Sequence, residues 1–305
     1  MSDFWLKVRK TLQYHWKKRL IAIREAKWDR SKPLARSPVF ILGCSRAGTT
    51  LVYKTFSESR QLGTLQRETH DLWASLHSLE EKQWSGHELD ENDANPGDAE
   101  FISRYFYSHT GTLQFVDKNN QNGLCLPYLL KLFPQARFVY VKRSPGDNIN
   151  SIIEGWRKAD EFATWSNDLP VEVNVENGQL KRWCFFIAQG WQDYLNASIE
   201  KVAAFQYRVM NEAILKGRTL VPESQWAEIR YEDLLVDPVK GFKEAFIKLG
   251  LDFDKHLEQH CQTVLSNPYN AFSEIRLDKW KDGRNAEKVA RVMSSVESVA
   301  REMGY

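Results

Sequence analysis

Glycine and hydroxyl residues crowd one short stretch, Gly43-Cys44-Ser45-Arg46-Ala47-Gly48-Thr49-Thr50. It follows an unbroken apolar run, Val39 to Leu42, and precedes Leu51 to Ser57, which read as the first turns of a helix. A glycine-bearing loop between a strand and a helix aims several backbone N–H groups, and the positive end of the helix dipole, at one point. Such a point holds phosphate or sulfate. Arg46 adds a cation to it. A second basic turn, Lys142-Arg143-Ser144-Pro145-Gly146-Asp147, follows the apolar run Arg137 to Val141, with Ser151 eight residues beyond Arg143. Arginine offers phosphate a forked charged donor and serine a neutral one. Glu68, His70 and Asp71 supply proton acceptors close together, and Lys118 adds another cation.

The first loop departs from the Walker nucleotide-binding pattern. Gly43 and Gly48 have the Walker separation, but Thr49 stands where that pattern needs lysine. The cation is Arg46 instead, two residues before the second glycine. This counts against an ATPase or GTPase.

The elements that must position these residues alternate between strand and helix. Val39 to Leu42, Thr112 to Val116, Arg137 to Val141 and Trp226 to Arg230 read as strands. Leu124 to Leu132, Asn148 to Arg157, Leu180 to Leu215, Pro238 to Leu249 and Ala286 to Met303 read as helices. Residues 80–100 are polar and acidic and read as a surface excursion, and residues 160–178 as irregular. The expected fold class is α/β: three layers, α/β/α, around a mainly parallel sheet. Ligands of such sheets bind at the carboxyl ends of the strands, where all the motifs above fall.

Arg46-Ala47-Gly48-Thr49-Thr50 resembles the 5′-phosphosulfate loop of sulfotransferases that use 3′-phosphoadenosine 5′-phosphosulfate (PAPS). The Arg143 and Ser151 spacing resembles that family's 3′-phosphate site. Further resemblances follow in family order. Lys118 lies 25 residues before Arg143, as does a lysine that reaches the sulfuryl group in tyrosylprotein-type members. Glu68 lies 22 residues after Arg46 and resembles the general base of that branch. Arg230-Tyr231-Glu232-Asp233-Leu234 resembles the strand end whose tyrosine contacts the adenine side. Lys279-Trp280, with Gly304-Tyr305 at the end of the last helix, resembles a C-terminal block whose lysine contacts nucleotide phosphate. The resemblance covers residues 38–305 and implies the P-loop-like sulfotransferase fold. Cytosolic steroid and phenol sulfotransferases carry a catalytic histidine where this chain has Asn120, and their C-terminal Arg-Lys-Gly motif is absent. The chain is therefore nearer the carbohydrate, tyrosylprotein and bacterial branches.

The resemblance implies sulfuryl transfer from PAPS, leaving 3′-phosphoadenosine 5′-phosphate, to an acceptor hydroxyl or amine. The N–H groups of Ala47, Gly48, Thr49 and Thr50 would hold the 5′-phosphate. Arg46 and Lys118 would offset charge in the reaction. Glu68 would take the acceptor proton, with His70 as its rival. No acidic motif follows a strand in Walker-B fashion, so no metal is expected. Trp156, Trp165, Trp183, Phe185 and Trp191 are either acceptor-cleft walls or core. The acceptor class stays open among a carbohydrate, a glycolipid or other lipid, a small molecule such as an aliphatic alcohol or phenol, and a peptide.

The 305 residues are 42% hydrophobic and 27% charged, with a net charge of +2. The charge is uneven: residues 1–36 carry 11 Lys/Arg and 3 Asp/Glu, a net of +8, leaving −6 for the rest. The body is therefore no general nucleic-acid binder. The expected division is a basic amphipathic arm, residues 1–36, and a single sulfotransferase domain, residues 37–305. Trp5, Leu12, Trp16, Leu20 and Ile23 stand among Lys and Arg in residues 1–30. That helix either packs on the body or lies on an anionic membrane. Four scattered cysteines with no zinc spacing read as free thiols in a reducing compartment. No signal core or run of roughly 18 apolar residues occurs. The expectation is a cytoplasmic protein, peripheral at the inner membrane surface if the arm binds lipid. Two other readings compete: a P-loop kinase, and a non-catalytic scaffold binding nucleotide or membrane.

Overall fold

Four short apolar strings build the sheet. The computed structural model describes residues 3–163, 166–266 and 276–305. In it β1 (Val39–Leu42), β2 (Val116–Lys118), β3 (Arg137–Lys142) and β4 (Trp226–Arg230) run parallel in the order β2-β1-β3-β4. Ile41 lies level with Lys118 and Val139, and Lys142 with Arg230. The carboxyl ends of all four strands therefore share one edge of the sheet.

The helices, in chain order, are α1 (Asp3–Trp28), α2 (Thr49–Phe56), α3 (His70–Ala74), α4 (Pro96–Thr110), α5 (Leu126–Leu132), α6 (Pro145–Trp156), the single turns α7 (Ala159–Phe162) and α8 (Val175–Gly178), α9 (Ile199–Arg218), α10 (Tyr231–Val236), α11 (Pro238–Lys248), α12 (Lys255–Thr263) and α13 (Ala286–Glu302). Successive strand residues point to opposite faces. Phe40, Leu42, Phe138 and Tyr140 join a core with α4, α5, α6, α9 and α13. Val39, Ile41, Val139 and Val141 join a second core with α2, α11 and α12. Every residue of β1 is thus buried, as a strand covered on both faces requires. This is the expected three-layer α/β arrangement.

Two elements differ from the sequence reading. The second strand is Val116–Lys118 rather than Thr112 to Val116, because pairing starts level with Val39, the first residue of β1. The long helix expected over Leu180 to Leu215 begins only at Ile199. Trp183 to Ala188 are all buried, which no single helix face allows, and Phe185 takes φ 70°. Gln206 Nε2 of α9 donates to the carbonyls of Cys184 and Phe186, replacing helical bonds in that buried segment.

The acidic stretch before α4 is partly structural. Asn95 and Asp98 form a reciprocal cap at the start of α4. Its preceding loop turns inward at Leu89, which is buried. All four cysteines are buried and free. No described helix is long and apolar enough to cross a membrane.

Candidate active site

The loop after β1 turns through residues with left-handed backbone. Gly43 has φ 147°, and a Cβ there would lie 2.7 Å from the Val141 carbonyl oxygen. Gly48 has φ 102°, and a Cβ would come within 2.4 Å of the Tyr231 ring. Both positions therefore need glycine. Arg46 itself takes φ 68°. The loop runs straight into α2, whose first N–H groups have no intrahelical acceptor and whose first turn holds no acidic residue.

Three cations gather on this loop. Arg143 Nη1 donates to the Arg46 carbonyl at 2.8 Å, and its guanidinium lies 4.6 Å from the centre of the Tyr231 ring. The Arg46 guanidinium lies 5.2 Å from the centre of Phe162. Burial, then the charge of Arg143, push Arg46 down to about 10. Lys279 is also lowered, by burial first and then by Arg143 and Arg276. Cations that repel one another in a half-buried place favour an anion between them. Ser45 Oγ and Arg143 Nε are buried with no hydrogen-bond partner among the described residues. The donor set fits a phosphate-bearing group.

Helix α6 aligns the rest of this side. Asn148 Nδ2 donates to the Ser45 carbonyl at 2.9 Å. Asp147 accepts from the backbone of Asp278 at 2.9 Å and of Trp280 at 3.3 Å, which fixes the turn carrying Lys279. The Trp280 ring covers Gly146, where a Cβ would come within 2.2 Å of Nε1. Ser151 lies one turn beyond Asp147 and Asn148, on the side they share, and is half-buried. Glu232 accepts from Ser144 N at 2.8 Å and from Tyr305 Oη at 2.7 Å. It ties the ends of β3 and β4 to the C-terminal Gly-Tyr pair. Tyr231 faces the loop; its neighbour Glu232 is the clamp.

Lys118, Glu68 and His70 form a chain of contacts at the end of β2. Lys118 Nζ, buried, donates to Glu68 Oε1. Glu68 Oε2 meets His70 Nε2 at 2.6 Å. Burial opposes ionisation of Glu68, but the Lys118 charge and the bond to His70 outweigh it and hold the carboxyl well below the usual range. Lys118 ends β2 level with Ile41 of β1, two residues before the loop, so this chain adjoins the cation group. Glu68 lies before α3, not within it. The helical face expected to unite Glu68 with Asp71 is therefore absent, and Asp71 pairs outward with Arg67 at 2.8 Å.

Asp117, which sequence reasoning passed over, holds this segment in place. It accepts from Thr69 Oγ1 at 2.6 Å, Trp73 Nε1 at 3.1 Å and Asn122 Nδ2 at 3.1 Å. Burial raises its carboxyl above the ordinary value. Three donors on one buried acid pin the residues around Glu68 to the sheet edge.

A cavity of about 540 Å³ opens beside His70. Trp73, Leu79, Trp84, Leu89, Tyr128 and Leu129 line much of it. Burial pushes His87 down to about 4 and the Cys125 thiol up to about 12, so both line the cavity as neutral groups. Asp71, Glu80 and Lys82 also border it. Among the described residues, Trp156, Trp183, Phe185 and Trp191 are not in its wall; they are buried core. Each of these indole N–H groups bonds internally: Trp156 to Gln206 at 3.0 Å, Trp183 to the Phe186 carbonyl at 2.7 Å and Trp191 to the Trp84 carbonyl at 2.8 Å. Trp165 lies outside the described residues.

The model described as Sulfotransferase family matches residues 38–255. The chain belongs to the sulfotransferase family. Its fold is similar to that of the sulfotransferase STF9 from Mycobacterium avium, with a TM-score of 0.51 at 13% identity over 90% of this chain and 80% of that one. The sulfotransferase domain of the curacin biosynthetic pathway gives 0.51 at 16% identity, over 87% of this chain and 99% of that one. The omega-hydroxy-beta-dihydromenaquinone-9 sulfotransferase Stf3 of Mycobacterium bovis is 24% identical over 158 residues, 52% of this chain and 34% of that protein. The match thus spans about a third of that relative's length. The fold of this family member gathers the sequence-derived residues into two adjoining groups. Arg46, Ala47, Gly48, Thr49, Thr50, Arg143, Tyr231 and Lys279 surround the loop, with Ser151 behind them on α6. Glu68, His70 and Lys118 stand at the end of β2.

Proposed function

We propose that this sulfotransferase moves a sulfuryl group from PAPS to the hydroxyl of a largely apolar acceptor. One observation carries the reading. The cations on the 43–48 loop adjoin the Lys118–Glu68–His70 chain, and that chain ends at the wall of the apolar cavity. PAPS supplies, when bound, the sulfuryl group and a phosphate that leaves with the electron pair. The N–H groups of residues 47–50, with Arg46, hold its 5′-phosphate. Arg143, Ser151 and Lys279 hold the 3′-phosphate, and Tyr231 borders the adenine side.

Lys118 places a positive charge where negative charge gathers on the leaving oxygen. Both Glu68 oxygens are engaged, one by Lys118 and one by His70, which weakens Glu68 as a base. His70 reaches the cavity wall. With Nε2 committed to Glu68, His70 Nδ1 takes the proton of the acceptor hydroxyl. Glu68 orients the ring and offsets its new charge, as the carboxylate of a catalytic triad does. The aromatic and aliphatic side chains that line much of the cavity select a largely apolar body, with the hydroxyl directed at His70. The Stf3 relative is named for an omega-hydroxy acceptor, in keeping with this choice.

Binding of the donor product tests the assignment. Arg143→Ala should weaken 3′-phosphoadenosine 5′-phosphate by roughly 1.5–3 kcal/mol, the worth of a charge-assisted bond. Adenosine 5′-phosphosulfate should weaken much less in the same titration. Arg143→Lys keeps the charge, loses the fork and should fall between. Equal weakening of both nucleotides would remove Arg143 from the 3′-phosphate.

A further inference from the structure

The last turns of helix α1 are gripped by the body. Arg24 Nη1 donates to the carbonyls of Ser108 at 3.4 Å and His109 at 3.0 Å, in the last turn of α4. A cation there meets the negative end of the helix dipole. Arg104 of α4 bonds Glu25 at 3.1 Å and Asp29 at 2.9 Å. Trp28 is buried, and its Nε1 donates to the Pro33 carbonyl at 2.9 Å. From Thr11 to Arg19 every residue is exposed.

The exposed portion carries a large apolar stripe. Leu12, Trp16 and Ile23 are 65%, 71% and 65% exposed, and Trp5, at 62%, continues their line. At 100° per residue these four fall within an arc of about 40°, while Arg24, Glu25 and Trp28 centre about 150° away. The stripe therefore points away from the body. Exposed Arg9, Arg19 and Lys27 flank it, and exposed Lys17 and Lys18 lie further round. Residues 1–36 carry a net charge of +8.

We propose that this face of α1 docks the protein on an anionic lipid bilayer, with the helix lying in the interface. Charge decides the occupant. Arg9 and Arg19 border the stripe on either side, so a second copy laid against it would face like charges. A bilayer rich in acidic headgroups meets the cations and accepts the Trp and Leu side chains at the headgroup level. The helix is not long and apolar enough to span, so it lies on the surface.

Co-sedimentation of the full chain with vesicles tests this. Vesicles of equal parts phosphatidylglycerol and phosphatidylcholine should carry the protein down at low salt. Vesicles of phosphatidylcholine alone should carry far less, and rising salt should release the bound fraction. The double variant Leu12→Glu/Trp16→Glu should lower partitioning at least about tenfold. Its thermal midpoint and its affinity for 3′-phosphoadenosine 5′-phosphate should be unchanged, since neither residue touches the body's core or the loop. Three results would overturn the proposal: no sedimentation with the acidic vesicles at low salt, full binding by the double variant, or a dimer in solution that the double variant abolishes without any vesicle binding. Capture by an acidic peptide with no vesicle binding would replace lipid by a protein partner and equally defeat it.

Discussion

His70→Asn should lower the turnover of sulfuryl transfer by about 10²–10⁴-fold, the usual worth of a positioned general base. Asparagine keeps a hydrogen-bonding group near Glu68 but cannot take a proton. Affinity for 3′-phosphoadenosine 5′-phosphate should change little, because His70 stands on the acceptor side of the chain of contacts. Glu68→Gln should cost less, because the imidazole remains as base and only its orientation and charge partner weaken. Steady-state kinetics on both variants, at saturating donor, separates the roles. A dead Glu68→Gln beside a nearly normal His70→Asn would make the carboxylate the base and contradict this assignment.

Lys118→Met should reduce turnover by about 10²–10³-fold, comparable with loss of one preorganised donor to a developing anion. Lys118 is buried and bonded to Glu68, so its loss also changes the carboxyl. Burial then acts on Glu68 with only His70 to oppose it, and its pKa rises. The consequence for stability has a definite sign. In the wild type the folded pKa of Glu68 is depressed. Its stabilising share is present above the unfolded value and is lost as pH falls toward the folded one. In Lys118→Met that share shrinks, so the thermal midpoint at neutral pH and that at a pH below the ordinary carboxyl value should lie closer together than in the wild type. An unchanged pH dependence would mean that the Lys118–Glu68 pair contributes nothing to folding.

The strand-loop-helix units around Gly43–Gly48 and Arg143 were legible because local rules dictate them. A buried parallel strand is an apolar run, and the turn beyond it needs glycine at positive φ. The convergence of Arg46, Arg143 and Lys279 was legible only through resemblance, since Lys279 reaches the loop by way of Asp147 on α6. Asp117 was missed because it falls just beyond the strand read over Thr112 to Val116, where a carboxylate among Lys and Asn reads as an ordinary polar turn. Its three donors come from Thr69, Trp73 and Asn122, which no local pattern connects to it. The false helix over 180–198 has a similar origin. Trp183, Phe186 and Ile187 match a helical stripe, yet the segment is wrapped on all sides, and Gln206 from another element takes up its carbonyls. The cavity aromatics were missed for the converse reason. Trp73 and Trp84 sit in polar surroundings in sequence, and only tertiary packing turns them onto the cavity.

The expected arm packed as a helix only in part. Arg24, Glu25 and Trp28 dock on the body, whereas Leu12, Trp16 and Ile23 point outward. Periodicity located both faces but could not say which one the body takes. The hydrogen bonds from Arg24 to carbonyls at the end of α4, and the ion pair from Arg104 of α4 back to Glu25, made that choice, and they join residues some 80 positions apart.

Incubation with radiolabelled PAPS and a panel of acceptors tests the central claim most directly. The panel should hold a long-chain primary alcohol, a phenol, a monosaccharide and a tyrosine peptide, with labelled ATP as the competing donor. Label from PAPS should enter the long-chain alcohol, with little in the sugar or the peptide and none from ATP in any acceptor. Transfer of the terminal phosphoryl group of ATP without any sulfuryl transfer from PAPS would contradict the account.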